Sequence, residues 1–113
     1  MYKKWAKKLR RLLCRQKGGH HPTYKFRMVT VQPAVVRRHV LYILSHQGCH
    51  WEILLQCPCG CGEILHVNLL EEIKPFWKYR VDKCRKVTLF PSLHRKVGCR
   101  SHFFIRKGKV VWV

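Results

Sequence analysis

The sequence predicts a mainly β fold, a small antiparallel domain of about seven short strands. Three observations lead to this prediction. Short apolar segments rich in β-branched and aromatic residues recur between turn residues, a cysteine-rich bend lies between two of them at residues 57–62, and the chain begins with a basic segment of helical periodicity. We therefore divide the chain into a helical extension, residues 1–19, and one cysteine-rich β domain, residues 20–113.

The first segment predicts a basic amphipathic helix. Residues 1–17 contain eight basic residues and no acidic one, and Trp5, Leu9 and Leu12 recur at helical spacing until Gly18 and Gly19 end the pattern. Such a helix can lie on an anionic membrane or on the phosphate backbone of a nucleic acid. The alternative is that its apolar stripe packs on the β domain.

The strand candidates follow in order after the glycines. Each is a short run of apolar or alternating residues that ends at Gly, Pro or a cluster of polar residues. The segment at residues 24–31 alternates only weakly. The clearer candidates are residues 39–44, 51–55, 63–69, 76–81, 87–90, 102–105 and 110–113.

The bend at residues 57–62, Cys-Pro-Cys-Gly-Cys-Gly, predicts a metal knuckle between two strands. Pro and Gly bend the backbone, so that the thiols of Cys57, Cys59 and Cys61 can aim at one point, where a structural zinc ion is the expected occupant. Cys99, beside Gly98, is the preferred fourth ligand. Other candidates for that place are Cys49, His50, His66 and Cys84. The opposing interpretation is that these cysteines are small buried apolar residues.

The charge balance of the chain predicts that the protein binds a polyanionic partner. There are 24 Lys and Arg residues against 5 Asp and Glu, a net charge of +19, which favours nucleic acid, an anionic membrane or an acidic protein surface as a partner. Arg10, Arg11 and Arg15 interrupt the apolar residues near the N-terminus, so no secretory signal is expected. We therefore expect a cytoplasmic protein with reduced thiols, in which metal binding is favoured over disulfides.

Several short motifs occur in order from about residue 36 onwards: residues 57–62 (CPCGCG), 67–70 (VNLL), Trp77, 91–93 (PSL), 98–105 (GCRSHFFI), Gly108 and 111–112 (VW). In these motifs the sequence resembles a family of small bacterial proteins encoded beside ubiquitin-like proteins, activating and conjugating enzymes and JAB-type peptidases. The chain departs from the family pattern at residues 93–96 (LHRK), where an apolar or aromatic residue is expected after Pro-Ser-Leu. The resemblance implies a place in a ubiquitin-like conjugation pathway, with ubiquitin-like proteins or conjugation enzymes as partners, and a serine-type peptidase activity.

A serine peptidase needs a hydroxyl, a nearby base, an orienting group and oxyanion donors. Because adjacent strand residues point to opposite faces, Ser101 and His102 are not expected to pair with each other. Two pairings remain: Ser101 with His66, or Ser92 with His102. Ser101 is the preferred nucleophile, since its loop enters a strand, and Glu63 is the acid best placed to orient a histidine.

Several alternatives accompany this assignment. The N–H groups of Gly98 and Cys99 are candidate oxyanion donors, and His94 is a further base. A cysteine nucleophile, Cys49 or Cys99 with His50 or His102, is another possibility.

A non-catalytic zinc-stabilised basic domain that binds nucleic acid or acts as an adaptor is the main rival function. For a peptidase, the predicted substrate is an extended tail bound along a strand edge, in a groove lined by Trp77 and Tyr79.

Overall fold

The computed structural model describes residues 23–113. The predicted basic helix and the predicted boundary at residue 19 lie outside the described residues. Within them the fold is mainly β, which confirms the predicted class, and no helix there is long and apolar enough to span a membrane. The strands of this part are β1 (Lys25–Val29), β2 (Val40–His46), β3 (Cys49–Gln56), β4 (Ile64–Asn68), β5 (Lys78–Val81), β6 (Val87–Phe90), β7 (Leu93–His94), β8 (His102–Arg106) and β9 (Lys109–Trp112).

The first sheet has the order β1-β2-β3-β4. Its β2–β3 and β3–β4 pairs are antiparallel, with Ile43 opposite Ile53 and Leu54 opposite His66. The β1–β2 pair is parallel, with Met28 opposite Ile43. This parallel pair differs from the predicted antiparallel arrangement. The cysteine bend connects β3 to β4, as a knuckle between two strands requires.

Two smaller antiparallel sheets follow in the chain. The pair β5–β6 forms one, and β7-β8-β9 forms the other, with β8 in the centre. The two-residue strand β7 was not predicted, because a strand so short leaves no alternation to detect. It matters for the site, since it begins directly after Ser92 and pairs His94 with His102.

All three sheets contribute to one main core. Alternate residues of each strand point into it, as expected for strands with one face buried. The completely buried members include Leu41, Ile53 and Leu55 from the first sheet, Val87 from the second, and Phe103 and Ile105 from the third. A second cluster on the other face of the first sheet contains Val36, Tyr42, Leu44 and Leu54. Because the middle of β2 and the end of β3 are covered on both faces, residues 40–44 and 53–55 are continuously apolar.

The β8–β9 turn is fixed to the rest of the fold at Gly108. The Gly108 N–H donates to the Val87 carbonyl at 2.6 Å, and its carbonyl accepts from the Tyr24 N–H at 2.6 Å. Gly108 has a positive φ of 79°, and a Cβ there would lie 2.8 Å from the Tyr24 carbonyl oxygen. A glycine is therefore required at this junction, which sets the third sheet against the second.

Candidate active site and metal centre

The four cysteines predicted as metal ligands converge in the structure. The sulfurs of Cys57, Cys59, Cys61 and Cys99 all lie within 4.8 Å of one another. Cys57 Sγ is 3.4 Å from Cys59 Sγ and 3.6 Å from Cys99 Sγ. In a tetrahedral site with metal–sulfur bonds of about 2.3 Å, sulfurs are about 3.8 Å apart. The donor set and its spacing therefore fit one tetrahedral metal ion.

The local backbone of the knuckle explains how three sulfurs share one point. Gly60 has a φ of 90°, a conformation that side-chain-bearing residues rarely adopt, and its N–H donates to the Cys57 carbonyl at 3.3 Å. The Cys61 N–H donates to Cys59 Sγ at 3.4 Å. The Cys57 N–H donates to the Glu63 carbonyl at 2.9 Å, which closes the bend between β3 and β4.

The groups around the sulfurs favour a thiolate at Cys99 and disfavour one at Cys57. Arg95 Nη1 lies 3.3 Å from Cys99 Sγ and 3.8 Å from Cys61 Sγ. The Ser101 hydroxyl is 3.2 Å from Cys99 Sγ and 3.5 Å from Cys57 Sγ. Hydrogen bonding by Ser101 lowers the pKa of the Cys99 thiol to about 5, whereas burial raises the pKa of Cys57 to about 12. A cation would offset the burial cost at Cys57 by stabilising its thiolate.

A hydroxyl and an imidazole meet at the edge of the third sheet. Ser92 Oγ is 2.9 Å from His102 Nε2, within the range expected for a nucleophile and its base. Both residues are half-buried. Ser92 lies between β6 and β7, and His102 begins β8. One of the two pairings left open by the sequence thus has a hydrogen bond in the structure.

Two aromatic side chains hold this pair. The rings of His94 and His102 are stacked, with centroids 4.2 Å apart and planes at 12°. The Trp77 indole N–H donates to the Ser92 carbonyl at 3.2 Å. Trp77 and His94 also line a neighbouring depression of about 280 Å³, together with His66. The serine is therefore fixed through its backbone and the imidazole through its ring face.

The sequence profile of the family described as bacterial ubiquitination-like system serine protease (BubE) matches residues 28–113. The chain belongs to this family. The match includes both cysteine segments and the Ser92–His102 pair, and it agrees with the family resemblance noted from the sequence. No significant match was found among curated proteins or among solved structures.

The preferred Ser101–His66 pairing has no hydrogen bond in the described part of this BubE family member. The Ser101 hydroxyl is buried against the sulfurs of Cys57 and Cys99. His66 Nδ1 instead lies 3.1 Å from Glu52 Oε1, across the β3–β4 pair. The physical reason is that residue 101 ends the loop held by the cysteine cluster, so its side chain faces that cluster.

The remaining candidates lie away from the Ser92–His102 pair. Glu63 forms a long ion pair with Arg95, 3.9 Å from Oε2 to Nη2. Cys49 is exposed at the start of β3, and His50 Nδ1 is 2.7 Å from the Tyr79 hydroxyl. Cys84 lies in the β5–β6 turn, where its N–H donates to Asp82 Oδ1 at 2.9 Å. Within residues 23–113, no carboxylate forms a hydrogen bond or ion pair with the His102 ring.

Two contributors to the site of this BubE family member were missed from the sequence. The sequence indicates His94 only as a candidate base, because its stacking on His102 depends on the unpredicted strand β7. Arg95 was not singled out among many basic residues. The signal that could have found Arg95 is its position between the serine and the last cysteine, in a loop that must return to the knuckle.

Proposed function

We propose that this chain is a serine-type peptidase that processes a ubiquitin-like protein or its conjugates, with Ser92 as nucleophile and His102 as general base. The observation that carries the proposal is the 2.9 Å contact between Ser92 Oγ and His102 Nε2. The family description supplies the reaction class and the pathway. This assignment replaces Ser101, whose hydroxyl serves the cysteine cluster.

The proposed reaction is acyl transfer in two halves. Ser92 Oγ attacks the scissile carbonyl carbon while His102 Nε2 accepts the hydroxyl proton. The tetrahedral intermediate collapses to an ester on Ser92, and the leaving amine takes the proton from His102. Water then attacks the ester with His102 again as the base, which releases the carboxylate and restores the Ser92 hydroxyl.

The catalytic unit in this proposal is a pair of residues rather than a Ser-His-Asp triad. A third residue normally fixes the orientation of the imidazole. Here His94 restricts the His102 ring by stacking, at a centroid distance of 4.2 Å. The His102 backbone is fixed as well, since its carbonyl accepts from the Val113 N–H at 3.0 Å. The ring stack and the backbone hydrogen bond together restrict the orientation of the His102 imidazole, as the Asp carboxylate does in a Ser-His-Asp triad.

We assign zinc to the four-cysteine centre, with a structural role. Four thiolates are typical of closed structural zinc sites, which leave no open coordination position for substrate. When bound, the ion would cross-link the knuckle to the loop that carries Cys99. Only Arg100 and Ser101 separate that cysteine from His102, so the centre positions the catalytic base without entering the reaction.

The proposed substrate is the extended C-terminal tail of a ubiquitin-like protein. The strand β7 lies at the edge of its sheet and begins directly after Ser92, so an extended peptide could pair with it by β-augmentation. The depression lined by Trp77, His94 and Leu93 lies beside this edge. Its limited volume, about 280 Å³, suits small side chains before the scissile bond.

The test is cleavage of a ubiquitin-like protein that carries a C-terminal extension. We expect the purified chain to release the extension, and the Ser92→Ala variant to lose at least about a thousand-fold in kcat. Ser101→Ala is the matched control, because it removes the neighbouring serine hydroxyl. Cleavage that survives Ser92→Ala would refute the proposed nucleophile, and no cleavage by the wild-type chain would refute the peptidase.

A further inference from the structure

The outward faces of the second and third sheets meet in a cationic cleft of about 510 Å³. The second sheet contributes Arg80 and Phe90, and the third contributes Arg106, Lys109 and Val111. The two sheets are joined here by the Lys107 N–H, which donates to Thr88 Oγ1 at 2.9 Å. The cleft is separate from the cysteine centre and was not predicted from the sequence.

The cleft continues the sheet face that carries the catalytic histidine. Along β8, Phe103 and Ile105 are buried, so His102, Phe104 and Arg106 share the opposite face. Lys109 and Val111 lie on that same face, opposite Arg106 and Phe104. Four residues of a strand span about 13 Å. The backbone of His102 is therefore about 13 Å from that of Arg106, at the cationic end of β8.

The strand that leads to the serine, β6, also borders this cleft. Phe90 lines it and precedes Ser92 by two residues, at the end of β6. In β6, Thr88 and Phe90 share the outward face, while Val87 and Leu89 contribute to the core. A peptide bound at the Ser92–His102 pair can therefore reach the cleft without crossing the core.

Two guanidinium groups of the cleft are held in place by aromatic rings. Arg106 Cζ lies 4.4 Å from the centroid of the Phe104 ring, and Arg80 Cζ lies 5.4 Å from that of Phe90. Lys107 and Lys109 add two more cations, and no acidic residue lines the cleft in the part of the chain that the structure describes. Restricted guanidinium groups without internal partners are suited to carboxylates.

We infer that this cleft is a substrate subsite that takes an acidic side chain about four residues from the scissile bond. The inference rests on the proposed peptidase function and adds a specificity determinant to it. An extended peptide covers 13 Å with about four residues. The occupant is a peptide rather than a nucleic acid, because the cleft has an apolar floor of Phe90 and Val111 and leads directly to the catalytic pair.

The experiment uses a set of peptides that contain the scissile bond. Each peptide carries one Glu or one Gln, placed two to six residues from the scissile bond on either side. Cleavage is measured as kcat/KM, and binding is measured by fluorescence anisotropy with the Ser92→Ala chain. We expect Glu to be preferred over Gln by about tenfold at one position near the fourth, since several cations act together there. Arg106→Gln and Lys109→Gln should each reduce that preference.

The control is Lys83→Gln, which removes the same charge from an exposed turn outside the cleft. It should leave the preference unchanged. Equal cleavage of Glu and Gln peptides would overturn the subsite while the peptidase stands. Glu-dependent binding without any cleavage would refute the peptidase while the subsite stands. A single-stranded oligonucleotide that displaces the peptide, and loses affinity with Arg106→Gln, would assign the cleft to nucleic acid and overturn the inference.

Discussion

The imidazole rings of His94 and His102 are stacked face to face, with their centroids 4.2 Å apart. They lie directly opposite each other in the β7–β8 pair. Aromatic stacking contributes about 0.5–1.5 kcal/mol beyond the area it buries, enough to restrict rotation of the His102 ring. Since His102 Nε2 also contacts Ser92 Oγ, the stack sets the direction of the proposed catalytic base.

Removal of this stack should reduce the rate of the chemical step. We expect His94→Ala to lower kcat by roughly 10- to 100-fold, because small displacements of a catalytic group have effects of that size, with KM changed by no more than about twofold. His94→Phe keeps a flat ring and should retain most of the wild-type kcat. Steady-state kinetics on the extended ubiquitin-like substrate measures both.

His46→Ala, at an exposed position at the end of β2, is the control for loss of an imidazole elsewhere. A His94→Phe variant as slow as His94→Ala would show that the ring stack is not what matters. The alternative would then be direct proton transfer by His94, which the stacking account excludes.

The Ser101 hydroxyl should support the metal centre and not the reaction. It contacts two of the four sulfurs, at 3.2 Å and 3.5 Å, and second-sphere partners of this kind typically affect metal affinity by about 10- to 100-fold. We therefore expect Ser101→Ala to weaken zinc binding by that factor in a competition assay with a chromophoric chelator. At saturating zinc, its kcat should stay within a few-fold of wild type. Loss of cleavage with zinc fully bound would return the nucleophile assignment to Ser101.

The cysteine centre should bind one zinc ion per chain and support the fold. Apparent binding free energies of structural zinc are about 10–16 kcal/mol, as large as the whole stability of many domains, about 5–15 kcal/mol. We expect a strong chelator to abolish the cooperative thermal transition, and Cys99→Ser to lower the bound zinc and the Tm together. Metal analysis and calorimetry are the measurements.

Cys49→Ser is the matched control for this experiment, because Cys49 is exposed and outside the cluster. It should leave zinc content and Tm near wild type. A full equivalent of zinc in Cys99→Ser, or a chain isolated without any zinc, would contradict the assigned ligand set.

The local periodicity of the sequence was enough to predict most of the strands. Residues 40–44 and 53–55 are continuously apolar because both faces of β2 and β3 are covered by core clusters there. Spacing also predicted the convergence of three cysteines, since a short Gly- and Pro-containing bend brings its side chains together. Cys99 was predicted as the fourth partner, and the fold brings it to within 3.6 Å of Cys57.

The pairing of hydroxyl and imidazole could not be predicted in the same way. It depends on the path by which the loop between β7 and β8 returns to the cysteine bend. That path is set by contacts between residues far apart in the sequence, such as Cys57 and Cys99. The cluster draws the Ser101 side chain towards Cys57, and the two-residue strand β7 places Ser92 beside His102. Neither contact leaves a periodic signal. The parallel pairing of β1 with β2 is a further long-range choice of this kind.

The most direct test of the account is to identify which side chain reacts with a fluorophosphonate probe, a reagent that phosphonylates activated serine hydroxyls. Peptide mass spectrometry should locate the adduct on Ser92, and labelling should fall to background in His102→Ala with zinc content unchanged. An adduct on Ser101, or labelling of Ser92 that persists without His102, would contradict the proposed catalytic pair.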